Sequence, residues 1–191
     1  SDHEIKDADE FLRVIEAGME HATDGKLVTF GVVPTSAETG YGYIKSKERF
    51  ELSPIKGSEI DSFIEKPDKE TANKFIKDKK YTWNSGIFLF KANAILKEIK
   101  KYNPEVISIC GEALKDNSLD LDFQRLNIDI FSKCPNLSID IGVMEKTNIG
   151  FVLPLNVGWS DIGSWNALWE ISPKDKLGNV TKGKKHQRNK T

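Results

Sequence analysis

Apolar positions recur at helical spacing from Asp7 to Ala22. Phe11, Leu12, Val14, Ile15 and Met19 line one face there, and Asp7 stands as a natural N-cap. The run KLVTFGVV (26–33) is β-branched and ends at Pro34, which predicts a buried strand. ETGYGYIK (38–45) reads as a glycine-punctuated loop turning into a strand. EIDSFIEK (59–66) predicts another strand, stopped at Pro67, and Asp68 to Lys79 resumes a helical pattern. GIFLFKA (86–92) is nearly continuous in apolar residues, as suits a central strand covered on both faces. Helical patterns follow over Asn93–Lys101, Pro104–Lys115 and Asp122–Ser132, and Ile149–Leu155 is a further strand. In GWSDIGSWNALWE (158–170), Asp161 or Ser160 is expected to cap a last helix beginning at Ile162, with Trp165, Leu168 and Trp169 on its core face. Strands alternating with helices predict an α/β fold with a largely parallel sheet.

Length and charge narrow this picture. The chain has 191 residues, 38% of them hydrophobic and 30% charged, so it can bury a proper core. Its formal net charge of −1 gives no broad basic field for nucleic acid or an anionic membrane. No apolar run approaches the length of a spanning helix, and SDHEIKDADEF is too charged for a signal peptide, so a cytoplasmic setting is expected. The two cysteines, Cys110 and Cys134, stand far apart in sequence and are expected to be reduced; three scattered histidines write no zinc site. Residues 1–180 read as one domain and TKGKKHQRNKT (181–191) as a basic polar tail.

Ligands of open α/β sheets sit beyond the carboxyl ends of strands. After the first strand, TGYGY (39–43) has two glycines that let backbone approach a ligand, although a tight turn explains them equally. Glu65-Lys66-Pro67 follows EIDSFI: the carboxylate can accept two sugar hydroxyls and the lysine can neutralise a phosphate, while an exposed ion pair at a strand end is the plainer reading. Trp83-Asn84-Ser85-Gly86 offers an amide and a hydroxyl before GIFLF. Asp140, Glu145 and Lys146 follow in SIDIGVMEK (138–146), and Asp161 follows FVLPLNV. Together these groups suit a phosphorylated sugar with magnesium better than a peptide or a lipid.

FGVVPTSAETGYGYIK (30–45), FIEKPD (63–68), WNSGIFLFKA (83–92), SIDIGVMEK (138–146) and GWSDIGSW (158–165) occur in this order. They resemble the nucleotidyltransferase domain of bacterial mannose-1-phosphate guanylyltransferases, including those fused to a mannose-6-phosphate isomerase. The resemblance implies a Rossmann-like nucleotide-diphospho-sugar transferase fold with a mixed, mostly parallel sheet. It implies that mannose 1-phosphate is joined to GTP, giving GDP-mannose and pyrophosphate. Asp161 and, from the family's Pro-x-Asp-His-type motif, Asp2 then hold Mg²⁺. Lys66 and Asp161 carry the catalytic roles. Gly42 lets backbone approach the mannose ring, and Glu65 and Asn84 meet sugar hydroxyls. Lys66 lies near the sugar phosphate, and Ser85, Asp140, Glu145 and Lys146 fall on the substrate side. The step is an in-line displacement that needs positioning and charge neutralisation rather than a side-chain nucleophile.

The glycine-rich G-G-x-G-x-R-L loop that holds the nucleotide in such enzymes has no counterpart in these residues. The chain is therefore expected to be the sugar-phosphate-binding part of the enzyme, inactive alone and associating with itself or with a missing part through an open edge beside Gly86–Phe90. Two other readings remain: a sugar-phosphate-binding fragment or partner subunit without catalysis, and a related sugar-1-phosphate thymidylyl- or uridylyltransferase.

Overall fold

The computed structural model describes residues 3–115, 118–181 and 183. These divide into two compact units, one of residues 9–156 and one of residues 1–8 with 157–191. In chain order the elements are helix α1 (Ala8–Thr23), strands β1 (Leu27–Val32), β2 (Tyr43–Ser46), β3 (Glu51–Leu52), β4 (Ile55–Lys56) and β5 (Ser58–Ile64), helix α2 (Lys69–Phe75) and strand β6 (Tyr81–Leu89). Helices α3 (Ala92–Tyr102) and α4 (Pro104–Lys115), strands β7 (Ser118–Asp120) and β8 (Phe123–Arg125), helix α5 (Ile128–Phe131), a π-helical turn (Asp140–Met144), strand β9 (Gly150–Leu155) and helix α6 (Trp165–Ile171) follow.

In the larger unit five strands close into a barrel in the order β1-β6-β2-β5-β9. Every residue of β1 is buried, as its continuous apolar run requires. Leu27 joins Ile95 of α3 and Val143 and Met144 of the π-helical turn in a core cluster, with Ile60, Phe63 and Phe88 packed against it. Helix α1 buries Val14, Gly18 and Ala22. A Cβ on Gly18 would lie 3.2 Å from both Leu153 and Leu89, so the helix seats on the barrel through its small residue. That close approach turns the stripe away from two expected core positions, and Leu12 and Met19 are 56% and 55% exposed.

The sheet is mixed, as the resemblance implies, but it is not mostly parallel. Only β1 and β9 run parallel, and the other four barrel pairings are antiparallel. Alternating strands and helices predict parallel neighbours only where each helix crosses between adjacent strands, and here β2 and β5 pair as an antiparallel hairpin instead. Strand β6 pairs with β1 through Trp83, Asn84, Phe88 and Leu89, but its pairing with β2 covers Tyr81, Thr82 and Trp83 alone, so among the described residues the strand has a partner beside residues 86–89 on the β1 side only.

Two further expectations change. Strand β6 begins at Tyr81, five residues before the apolar run, because Thr82, Trp83 and Ser85 are buried within it. The helix expected over Asp122–Ser132 is a hairpin, β7–β8, followed by the four-residue α5. Leu121, with φ +55°, makes the hairpin's turn, and Asn127 caps α5 by accepting from the Ile130 amide. Cys110 and Cys134 are free thiols; burial pushes the Cys134 thiol up, with Cys110 as its hydrogen-bonding neighbour. Among the described residues no helix is long and apolar enough to cross a membrane. The expected tail, apart from Thr181 and Gly183, lies outside the described residues.

Candidate functional site

At one end of the β2–β5 hairpin, Tyr43 pairs with Ile64, and the chain leaves the ladder on both sides. Gly42 precedes β2 and Glu65 follows β5. Gly42 extends the pairing with β6, its carbonyl accepting from the Asn84 amide at 2.8 Å. A Cβ on Gly42 would stand 2.7 Å from Glu65 Oε2 and 3.6 Å from the Cβ of Asn84. Only a residue without a side chain lets Glu65 Oε2 come this close to the backbone. The loop before Gly42 is tied down twice: Lys69 Nζ donates to the Ala37 carbonyl at 2.7 Å, and the Tyr43 hydroxyl to the Glu38 carbonyl at 2.9 Å. Burial holds the Tyr43 phenol above its ordinary pKa, so the hydroxyl stays a donor.

Asn84 sits where β1 and β6 slip in register between Thr29 and Gly31. Gly86, with φ +68°, lets β6 bulge there, and its amide donates to Asn84 Oδ1 at 3.1 Å. Asn84 Nδ2 donates in turn to Asp140 Oδ1 at 2.9 Å, a contact between residues 56 apart in sequence. Asp140 opens the π-helical turn, whose Gly142, Val143 and Met144 are buried. Gly42, Glu65, Asn84 and Asp140 thus form one polar cluster at the mouth of β2, β5 and β6.

Lys66 adjoins this cluster. Its Nζ lies 3.1 Å from Glu65 Oε1, and the two side chains are 65% and 51% exposed. Its backbone has φ +41°, a left-handed conformation unusual for a side-chain-bearing residue and sterically awkward before proline. Buried Pro67 and the α2 cap, where Asp68 accepts from the Thr71 amide at 2.7 Å, hold the turn in place. Not every expected residue joins. Ser85 is buried, and its hydroxyl donates to the Phe30 carbonyl and accepts from the Ile87 amide, which makes it a strand fastener. Glu145 and Lys146 are exposed beyond the π-helical turn, and among the described residues neither side chain bonds to the cluster.

The signals that sequence reading missed are Gly86 and the anchors of the Asp140 segment. Asn103 Nδ2 donates to the Gly142 carbonyl at 2.7 Å, Tyr102 donates to the Lys146 carbonyl at 2.8 Å, and Thr147 bonds to buried Glu98. The sequence Asn-Ser-Gly carries the recognisable mark, since asparagine two residues before glycine favours a side-chain-to-backbone turn.

In the smaller unit, an antiparallel bridge joins Glu4 and Ser160, through amide-to-carbonyl contacts of 2.9 and 3.1 Å. His3 meets Trp159 edge-on at 5.3 Å. Helix α6 starts at Trp165 rather than Ile162, and its cap is Ser164, which accepts from the Ala167 amide at 3.1 Å. The expected caps, Asp161 and Ser160, lie too early. The expected core face is absent too: no α6 residue is buried, and Trp165 and Trp169 are 87% and 45% exposed. Asp161 Oδ1 instead accepts from the Gly163 amide at 3.2 Å, and Ile162 between them is forced to φ +47°. A β-branched residue is strained there, and such strain persists where the surroundings over-determine a conformation. Asp161 thus carries its carboxylate on a turn fixed by the Gly163 amide. Asp2, its expected partner, lies outside the described residues. Among the described residues no group of three or more acids, histidines or cysteines gathers as a metal cage.

A mixed sheet closed into a barrel, with helices alternating with its strands along the chain, defines an α/β fold of the nucleotidyltransferase type. Residues 1–177 match the nucleotidyl transferase family, and the chain belongs to it. It is 48% identical over 186 residues to a mannose-1-phosphate guanylyltransferase of Salmonella montevideo, covering 96% of this chain and 39% of that protein. The chain thus spans about two fifths of that relative's length. The crystal structure of a mannose-6-phosphate isomerase from Helicobacter pylori superimposes with a TM-score of 0.72 and 33% identity, over 84% of this chain and 61% of that one. A crystal structure from Thermus thermophilus, described as a mannose-1-phosphate geranyltransferase, does so with a TM-score of 0.74 and 30% identity, over 88% and 47%.

Proposed function

We propose that this chain is the sugar-phosphate-binding part of a mannose-1-phosphate guanylyltransferase, which joins mannose 1-phosphate to GTP and releases pyrophosphate. One observation supports the reading: Glu65, Gly42 and Asn84, far apart in sequence, meet at one place, where Glu65 Oε2 and the Cβ of Asn84 would stand 2.7 and 3.6 Å from a Cβ on Gly42. The carboxylate can accept a pair of vicinal hydroxyls, the amide adds a donor and an acceptor, and the glycine lets the sugar ring approach the backbone. Lys66 sits beside the carboxylate, where its ammonium would meet a sugar phosphate. Asp161, with Asp2, would hold Mg²⁺, whose charge would offset that of the phosphates. The protein's own part is positioning: binding the ring, holding the phosphate at Lys66 and aiming its oxygen for attack on the α-phosphorus of GTP. GDP-mannose would be the product, made in the cytoplasm where nucleoside triphosphates are held.

The test is titration calorimetry of the chain with mannose 1-phosphate and with free mannose. Mannose 1-phosphate is expected to bind more tightly, and Lys66→Ala to weaken it by about ten-fold while leaving mannose unchanged, since a charge-assisted contact on an exposed lysine is worth roughly one decade. Equal affinity for the two ligands would remove Lys66 from the phosphate.

A further inference from the structure

We infer that Asp140 is a positioning residue: it fixes the orientation of the Asn84 side-chain amide and so decides which sugar epimer the cluster accepts. The second half of that statement rests on the function proposed above; the first stands on geometry alone.

A side-chain amide has two N–H donors and two acceptor lone pairs. In Asn84 the two ends are held by groups of opposite kind. Oδ1 accepts from the Gly86 amide at 3.1 Å, and Nδ2 donates to Asp140 Oδ1 at 2.9 Å. Turning the amide over would set its NH₂ against the Gly86 N–H and its oxygen against the Asp140 carboxylate. Both contacts would become repulsive at once, so one orientation is locked. What remains free is one N–H and one lone pair, in fixed places. A hydroxyl that moves from an axial to an equatorial position then meets the wrong group or none.

The carboxylate can do this only if it is held firmly itself, and the chain invests in that. The π-helical turn is the uncommon five-residue form that recurs at functional sites. Its Val143 and Met144 are 2% exposed in the core beside Leu27 and Ile95. Asn103, itself buried, holds the Gly142 carbonyl at 2.7 Å, and a Cβ on Gly142 would crowd Leu137 at 3.0 Å and Asn103 at 3.4 Å. Asp140 therefore faces Asn84 from a segment pinned on its other side, whereas Glu145 and Lys146, just beyond the turn, are exposed. A carboxylate whose task was to meet ligand directly would not need the amide in front of it.

Asp140→Ala and Asp140→Asn separate the roles, because asparagine can still accept from Asn84 Nδ2 and alanine cannot. The side-chain amide protons of Asn84, assigned with Asn84→Ala, are read by ¹⁵N NMR. Mannose 1-phosphate and glucose 1-phosphate, which differ in one hydroxyl's direction, are titrated by calorimetry. The parent and Asp140→Asn should show two separated amide protons and the same sugar preference. Asp140→Ala should bring the two protons together toward free-amide positions and reduce the mannose preference by about ten-fold, the worth of one misplaced hydrogen bond to a charged partner. If Asp140→Asn loses the preference as fully as Asp140→Ala, the charge acts directly and positioning is overturned. Equal weakening of both sugars in Asp140→Ala would mean a merely structural role and would also overturn it. A parent that binds neither sugar phosphate refutes the proposed function, and the amide protons then still decide the orienting role by themselves. Should Asp140→Ala unfold, Asp140→Ser, polar but too short to reach Asn84, is measured in its place with the same expectations.

Discussion

The β2–β5 hairpin has a carboxylate at each end, and the two are used differently. At the far end Glu59 is saturated: Lys26 Nζ holds Oε1 at 2.7 Å and Lys47 Nζ holds Oε2 at 2.9 Å. These lysines come from before β1 and after β2, so the acid staples three strands and its pKa falls from the ordinary 4.5 to about 2, chiefly through the Lys26 hydrogen bond. At the near end Glu65 pairs, among the described residues, with the next residue, Lys66, and its Oε2 lies against Gly42. Exposure does not tell the two apart, at 42% and 51% of the side chain. What does is where the partners come from. The lysines on Glu59 come from other strands and tie them together, whereas Glu65 Oε2 lies against Gly42; on the function proposed above, Glu65 is the carboxylate that meets the ligand.

The strongest way to break this contrast is to add one methyl group at each end. A Cβ on Gly57 would lie 2.3 Å from the Val152 carbonyl and 2.7 Å from the Phe151 ring, against backbone that cannot move aside. Gly57→Ala is expected to cost about 3 kcal/mol or more of stability, the upper range for overpacking, and to lower the melting temperature by about 10 °C. Gly42→Ala meets only the tip of Glu65, which can swing away, so its melting temperature should stay within about 2 °C of the parent. Its affinity for mannose 1-phosphate should fall by about ten-fold. Thermal melts of both variants, with calorimetry on Gly42→Ala, check the pair; a Gly42→Ala variant that melts as early as Gly57→Ala would erase the distinction.

A smaller effect sharpens it. Because the folded pKa of Glu59 lies below its ordinary value, the ion pairs add stability above about pH 4.5 that disappears as the pH falls toward about 2. Denaturant melts of Glu59→Gln across this window should show a shallower acid loss than the parent, with the two curves meeting near the lower limit. Parallel curves would show that the lysines do not hold Glu59 in solution.

Much of this arrangement was legible from residue patterns. Strand β1 followed from its continuous apolar run, α4 from Pro104 to Lys115 to the residue, and α2 in its start, although the helix expected to run from Asp68 to Lys79 ends at Phe75. The polar positions Gly42, Glu65 and Asn84 were legible because each stands at the border of an apolar run, Glu65 after one and Gly42 and Asn84 shortly before one. Strand direction was not, since periodicity describes the faces of a strand but not its neighbours. The start of β6 was hidden because buried Thr82 and Ser85 count as polar in any pattern. The last helix was misplaced because Ser160, Asp161 and Ser164 are all good caps, and the choice fell to the strained turn at Ile162. The Asn84–Asp140 bond could not be read at all, since nothing local links residues that far apart.

On the function proposed above, Glu65, and not its twin at the other end of the hairpin, receives the sugar. The most direct measurement is the calorimetric affinity for mannose 1-phosphate of Glu65→Gln beside Glu59→Gln at neutral pH. Glutamine keeps the size of either side chain and removes only its charge and half its acceptors. Glu65→Gln should bind at least about ten-fold more weakly than the parent, and Glu59→Gln should bind as the parent does. Unchanged affinity in Glu65→Gln, or an equal loss in both variants, would contradict the account.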